Sequence, residues 1–130
     1  MKILQINTTV NSGSTGRIAE DIGNVLIANG HESYIASGRG NRPSKSKLLK
    51  IGTRFDVYWH GLVTLLLDRH GFGSKRATQK LIAEIEKLKP DAIGLHNIHG
   101  YYINIEILFN FIAQNNIPII WTFHDCWPFT

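Results

Sequence analysis

Three short stretches of this 130-residue chain hold most of the residue types that could bind or transform a polar ligand. The first, residues 11–17 (NSGSTGR), combines glycines, which let the backbone approach a ligand, with the start of a predicted helix, whose free N–H groups attract anions. The second is residues 96–102 (HNIHGYY), and the third is residues 122–130 (TFHDCWPFT). Together they predict a ligand site, provided that the fold brings them to one place.

The first stretch lacks two well-known nucleotide-binding patterns. It is not G-x-G-x-x-G, so the dinucleotide fingerprint is absent, and it does not end in the Gly-Lys-Ser/Thr of a P-loop. The missing fingerprint argues against a nucleotide-dependent oxidoreductase. Two interpretations stay open, an anion-binding loop at a helix N-terminus and a tight turn that only caps the helix.

The second stretch places His96 and His99 three residues apart. No Cys or acidic residue accompanies them nearby, so the pattern does not favour a metal site. We favour hydrogen bonding to a polar substrate, with Tyr101 or Tyr102 as a stacking face. The alternative is a histidine that is satisfied by the backbone at the end of a strand.

The third stretch contains the adjacent pair His124 and Asp125. If the preceding strand continues through them, their side chains point in opposite directions, so we do not expect Asp125 to orient His124 directly. Cys126 is too close in sequence to make a convincing nucleophile for a catalytic triad with this pair.

Hydrophobic periodicity predicts the elements that position these stretches. Ile18, Ile22, Val25 and Leu26 lie at helical spacing, for example, while residues 2–7 form a short apolar strand pattern. Strands alternating with helices predict an α/β fold, a parallel Rossmann-like sheet with right-handed crossovers and helices on both faces. Ligands bind such sheets at the carboxyl ends of the strands, where all three stretches fall. The predicted strands are residues 2–7, 33–36, 48–51, 91–96 and 117–123. The predicted helices are residues 16–29, capped by Ser14 or Thr15, residues 55–67, residues 75–89 and a fourth helix after the cap Asn104. Loops are predicted at residues 37–47 and 70–74.

Composition excludes several classes of protein. An apolar fraction of 43% and a charged fraction of 18% are typical of a globular domain rather than a disordered chain. With one cysteine, Cys126, no internal disulfide can form, which fits a reducing compartment. The start of the chain lacks a signal-peptide pattern, and no apolar run approaches the roughly 20 residues of a membrane-spanning helix. We therefore expect a cytoplasmic protein.

The net charge of +4 is concentrated in one region. Residues 39–54 hold six basic side chains and no acidic one. The stretch is either a solvated loop or a patch for anionic lipid or a phosphorylated substrate. Nucleic acid is disfavoured because no aromatic residues are interleaved with these charges. The six are Arg39, Arg42, Lys45, Lys47, Lys50 and Arg54.

Three strings resemble the N-terminal domain of retaining glycosyltransferases of family four, most closely bacterial members of the colanic-acid type that build surface polysaccharides. They are residues 13–18 (GSTGRI), 91–102 (DAIGLHNIHGYY) and 118–130 (PIIWTFHDCWPFT). The resemblance implies the GT-B fold, in which two Rossmann-like domains face each other across a cleft. It also implies transfer of a sugar from a nucleotide-sugar donor to a carbohydrate or lipid-linked acceptor with retention, without a metal or other cofactor.

The same resemblance implies roles for particular residues. The family's glycine pair near the donor diphosphate falls on Gly13 and Ser14, and the serine is a departure from the pattern. The family's arginine matches Arg17, and its histidine after the late strand matches His124, which is expected to contact the transferred sugar. The candidate site thus has His124 as the catalytic residue and the following substrate-binding residues: Gly13, Ser14, Gly16, Arg17, Asn97, His99, Tyr101 and Asp125.

The resemblance also carries an expectation about domains. Residues 1–130 would be the acceptor-side N-terminal domain, itself incomplete, and the donor-binding domain would be absent. We therefore expect the isolated chain to be inactive and to self-associate, most simply as a two-fold dimer whose interface uses exposed aromatic residues. They are Trp121, Phe123, Trp127 and Phe129. The alternative is that the isolated chain stays monomeric. We also expect peripheral contact with the inner membrane through the basic stretch. The alternative function is a non-catalytic binding or interaction domain.

Overall fold

A computed structural model describes residues 1–40, 42–67, 73–126 and 129. Its five strands form one fully parallel sheet in the order β3-β2-β1-β4-β5. This is the Rossmann-like α/β fold that the sequence predicts. Residues 70–72 of the predicted break lie outside the described residues. The elements are β1 (Lys2–Asn7), α1 (Gly13–Ala28), β2 (Glu32–Ser37), β3 (Lys47–Lys50), α2 (Arg54–Leu67), α3 (Lys75–Leu88), β4 (Ala92–Leu95), α4 (Ile105–Asn115) and β5 (Ile119–Trp121).

Strand β1 lies at the centre of the sheet, and the chain changes direction there. The strands β2 and β3 follow on one side of β1, and β4 and β5 follow on the other. The register pairs Ile6 with Ala36 of β2 and with Leu95 of β4. Such a switch point leaves a crevice at the carboxyl ends of the two strands where the order reverses, here β1 and β4.

Helices cover both faces of the sheet. On one face, Leu4 and Leu95 belong to a buried apolar cluster that also contains Leu81 of α3 and Leu108 of α4. On the other face, Ile35 packs with Ala19 of α1 and with Val10. The alternation of side chains along the strands divides the core in this way.

The predicted cap of α4 is confirmed. Asn104 lies just before the helix, and its Oδ1 accepts a hydrogen bond from the Ile107 N–H at 3.0 Å. The Asn104 N–H in turn donates to Thr78 Oγ1 at 2.7 Å, which links the start of α4 to α3.

Helix α1 differs from the prediction in its start and in its buried face. It begins at Gly13, with Ser12 rather than Ser14 or Thr15 in the capping position. Three of the four apolar residues whose spacing predicts the helix are exposed, Ile18 and Ile22 by about 40%, and the fourth, Leu26, is half-buried. A Cβ on Gly23 would stand 2.3 Å from Ser46 Oγ, so the helix lies too close to its neighbours for large side chains. Its buried face therefore carries Gly16, Ala19, Glu20 and Gly23.

The connection from β2 to β3 is short for two parallel strands and runs beside α1. The buried Glu20 carboxylate accepts hydrogen bonds from the Ser44 hydroxyl and from the Lys45 N–H, the latter at 3.1 Å. The Ser33 and Ser46 hydroxyls pair at 2.8 Å. Side chains of α1 and β2 therefore hold residues 44–46 of this connection in place.

Helix α2 has an apolar side that lies in solvent. An apolar helix of this kind is usually buried or at an interface. Its exposed large residues recur three and four positions apart, which places them along one stripe. None of the helices that the structure describes has the length and apolar character needed to cross a membrane. The stripe consists of Phe55, Tyr58, Trp59, Leu62 and Leu65.

Candidate functional site

The loops after β1, β4 and β5 meet at the carboxyl edge of the sheet. A small cleft there is lined by residues 96–99 after β4, by Trp121 at the end of β5, and by residues 123–125. The structure thus brings the second and third sequence stretches together. Residues 127, 128 and 130 of the third stretch lie outside the described part of the chain.

Two histidines form the inner wall of this cleft. The His96 Nδ1 and the His124 Nε2 are 3.0 Å apart, and the rings are stacked with centroids 5.3 Å apart. His96 is 4% exposed, whereas His124 is half-buried. Burial, followed by repulsion from His124, lowers the pKa of His96 from 6.5 to about 4. His96 is therefore a neutral imidazole at physiological pH.

The outer wall is closed by an acid–histidine pair. The Asp125 Oδ2 and the His99 Nε2 are 2.7 Å apart, which joins the loop after β4 to the loop after β5. Both side chains are more than a third exposed. A pair this exposed stabilises the fold by at most about 1 kcal/mol. Its chief consequence is positional, since it fixes the spacing of the two loops beside His124.

The backbone of the loop after β4 is held from below. The Asn97 carbonyl accepts hydrogen bonds from Tyr102 OH at 2.6 Å and from Thr8 Oγ1 at 3.0 Å. Tyr102 is 1% exposed, and burial raises the pKa of its hydroxyl, so the hydroxyl stays a donor. A Cβ on Gly38 would stand 2.2 Å from Tyr102 Cβ, so only glycine fits beneath this ring.

The glycine-containing stretch lies beside the cleft without lining it. Asn7 ends β1 and connects the two regions: its Oδ1 accepts from the Asn97 N–H at 3.2 Å, and its Nδ2 lies 3.5 Å from Thr15 Oγ1. Gly16 is buried, and a Cβ there would stand 2.8 Å from Thr9 Oγ1. The remaining predicted residues of this stretch are exposed at the start of α1: Gly13, Ser14 and Arg17.

Tyr101 is not among the residues that line the cleft and lies near Arg39, two residues after β2. It has a left-handed backbone, with φ of +62°, and the Arg39 guanidinium stands 6.0 Å from the centre of its ring. One residue of the basic stretch thus reaches the predicted stacking residue. Among the residues whose placement is described, no three His, Cys, Asp or Glu side chains are grouped as a metal site would require.

Sequence reasoning missed the residues that support the cleft. Gln5 and Asn7 are 1% and 0% exposed, and both lie on β1. His96 lies within the second stretch but was not among the candidate residues. A signal for Gln5 existed, because a polar residue between Leu4 and Ile6 in a central strand must find a buried partner.

Comparison with known proteins supports the interpretation of these strings. The model of Glycosyltransferase Family 4 matches residues 15–130. The whole chain also aligns, at 24% identity over 142 residues, with a protein of Escherichia coli (strain K12) named as a colanic acid biosynthesis glycosyl transferase, WcaC. The chain spans 35% of the length of that relative.

Proposed function

Since this chain belongs to glycosyltransferase family 4, we propose that it forms the acceptor-side, N-terminal domain of a retaining enzyme. That enzyme would transfer a hexose from a nucleotide-sugar donor to a polysaccharide or lipid-linked acceptor. The observation that carries the proposal is the position of His124. It lies in a cleft at the carboxyl edge of a Rossmann-like sheet, held by His96 beside the point where the strand order reverses.

The proposed roles follow the two parts of the edge. His124 contacts the transferred sugar, and Asn97, His99, Tyr101 and Asp125 bind substrate around it. The start of α1 offers backbone N–H groups to the donor diphosphate, since helix N-termini attract anions. Gly13 and Gly16 keep that backbone free of side chains, and Ser14 and Arg17 extend from it into solvent.

Replacement of His124 tests the catalytic assignment. In the complete reading frame that contains this chain, His124→Ala should lower turnover on the order of 10²-fold, because it removes a contact that strengthens in the transition state. His31→Ala is the matched control, since His31 precedes β2 at the opposite edge of the sheet. Normal turnover by the His124→Ala protein would reject the role of His124.

Activity of the chain by itself tests the domain assignment. Half of the proposed cleft belongs to a donor-binding domain, so the 130-residue chain should give no product with nucleotide sugars and a lipid-linked acceptor. The complete reading frame should give product with one of the same donors. Turnover by the chain alone would contradict the two-domain proposal. Binding of a polysaccharide without turnover, by both the chain and the complete reading frame, would favour the non-catalytic alternative.

We further propose that the domain meets its acceptor at an anionic membrane surface. Five side chains of the basic stretch are exposed, and the exposed apolar stripe of α2 follows them in sequence. A helix with one apolar side and neighbouring cations is the kind that lies in a lipid interface. The five are Arg39, Arg42, Lys45, Lys47 and Lys50.

Sedimentation with lipid vesicles tests this contact. The protein should bind vesicles of anionic lipid at low salt and release them at high salt, since each cation near such a surface contributes about 1 kcal/mol. Exchanging Lys45 and Lys50 for Gln should weaken binding about 30-fold, since two contributions of about 1 kcal/mol are lost. The control exchanges Lys80 and Lys87, which are exposed on α3, and should leave binding unchanged. Equal binding to neutral vesicles would contradict the proposal.

A further inference from the structure

A line of three hydrogen bonds runs from helix α1 through the sheet to His124. The Gln5 Nε2 donates to the Ala19 carbonyl at 2.9 Å. The Gln5 Oε1 lies 3.0 Å from His96 Nε2, and the His96 Nδ1 lies 3.0 Å from His124 Nε2. Gln5 and His96 are 1% and 4% exposed, so water does not substitute for these partners.

Hydrogen-bond chemistry assigns the direction of every bond in this line. A carbonyl oxygen only accepts, so the amide of Gln5 turns its nitrogen to Ala19 and its oxygen to His96. The oxygen of Gln5 also only accepts, so neutral His96 carries its proton on Nε2 and a lone pair on Nδ1. His124 must then donate from Nε2. Its other nitrogen, Nδ1, has no partner among the described residues.

We propose that Gln5 and His96 are positioning residues that keep a proton on His124 Nε2, so that its Nδ1 accepts a hydrogen bond from a hydroxyl of the transferred sugar. The role as a sugar contact rests on the proposed function, whereas the tautomer does not. A donor at Nδ1 would instead suit an anionic oxygen. With its proton on Nε2, His124 offers a lone pair at Nδ1, which suits a ligand group that can donate, as a sugar hydroxyl does.

The surroundings of His96 oppose the reverse arrangement. If His96 carried its proton on Nδ1, its Nε2 lone pair would face the Gln5 oxygen with no proton between them. Rotating the Gln5 amide would relieve that contact but set its oxygen against the Ala19 carbonyl, again with no proton between two buried acceptors. Protonation of His96 on both nitrogens is opposed by the burial that lowers its pKa to about 4.

Nitrogen NMR of ¹⁵N-histidine-labelled protein reads the tautomer directly, at a pH where the imidazoles are neutral. In the wild-type chain the His124 proton should reside on Nε2. Gln5→Met has nearly the same shape but no acceptor, so the His124 proton should divide between the two nitrogens. A wild-type proton on Nδ1, or a folded Gln5→Met protein with an unchanged tautomer, would overturn the proposal.

A second pair of variants covers the case in which Gln5→Met does not fold. The side chain of Asn carries its amide oxygen about where the imidazole carries Nδ1, so His96→Asn should preserve the His124 tautomer, and His96→Leu should not. Loss of the tautomer in His96→Asn but not in His96→Leu would contradict the assignment. The wild-type spectrum alone shows which nitrogen of His124 carries the proton, even if every variant unfolds.

Turnover separates this proposal from the function on which it rests. In the complete reading frame, Gln5→Met should lower kcat/KM by about twofold or more, because the apparent affinity falls with the fraction of protein in the competent tautomer. If the wild-type His124 proton resides on Nε2 but His124→Ala has normal turnover, the sugar contact is rejected and the positioning by Gln5 and His96 still holds. If the wild-type His124 proton resides on Nδ1 and His124→Ala is inactive, the positioning by Gln5 and His96 is rejected and the catalytic role of His124 still holds.

Discussion

Acidification should destabilise this protein through His96. The ring is almost fully buried and contacts Gln5 and His124 through its two nitrogens, so a second proton would create a charge in a buried place. Its native pKa is lowered from 6.5 to about 4. In the unfolded chain the same imidazole takes up a proton near its ordinary pKa, about 6.5.

The sign and size of the effect follow from these two values. Between pH 6.5 and 4 the unfolded state binds more protons than the native state, so the free energy of unfolding falls as the pH falls. Above 6.5 the contribution of His96 is fully present, and below 4 no more is lost. Lowering the pH from 7 to 5 should reduce the free energy of unfolding by about 2 kcal/mol. The full reduction, reached below pH 4, should be about 3 kcal/mol.

Urea denaturation at pH 7, 6 and 5 measures this loss, with His96→Asn as the control. The variant removes the titrating imidazole and leaves the other five histidines in place. Wild type should lose about 2 kcal/mol more than the variant over this range. If the two free energies of unfolding instead change in parallel, to within about 0.5 kcal/mol, the native state tolerates the proton and the reasoning fails.

Three other predictions follow from the packing. Gly38→Ala should lower the free energy of unfolding in urea by about 2 kcal/mol or more, because the new Cβ would overlap the buried Tyr102. Gly61→Ala is the control. It has nothing within 4 Å of the new Cβ and should raise that free energy by up to about 1 kcal/mol. Equal effects would contradict the close contact. Asn104→Ala should cost about 1 kcal/mol through loss of the bond to Ile107, and Asn104→Ser, which retains a capping oxygen, should cost less. Light scattering should show a dimer at high concentration that Phe123→Ser weakens, since Phe123 lies exposed in an aromatic row with Trp121 and Phe129. A monomer at every concentration would exclude it.

The order and type of the elements were predictable because they depend on local periodicity. The strands and helices lie where the apolar patterns predict them, with ends that differ by a few residues. The buried face of α1 was not predictable in the same way. Periodicity counts large apolar residues, whereas this helix packs through glycine and alanine because the β2–β3 connection and β1 lie so close to it.

The site was predictable as a location but not as a network. The rule for parallel sheets selects the loop after β4, which carries His99, and the loop after β5, which carries His124 and Asp125. The structure joins these two loops through hydrogen bonds. The contact of Gln5 with His96 spans 91 residues of sequence and depends on the pairing of β1 with β4. No local pattern encodes a contact of that range.

The small-residue face of α1 reverses the usual expectation for mutational tolerance. On most amphipathic helices the large apolar positions are the sensitive ones. Here a saturation screen should find Ile18, Ile22 and Val25 permissive, because they are exposed, and Gly16 and Gly23 intolerant of large side chains. The property that natural variation can least change along this helix is therefore volume rather than hydropathy.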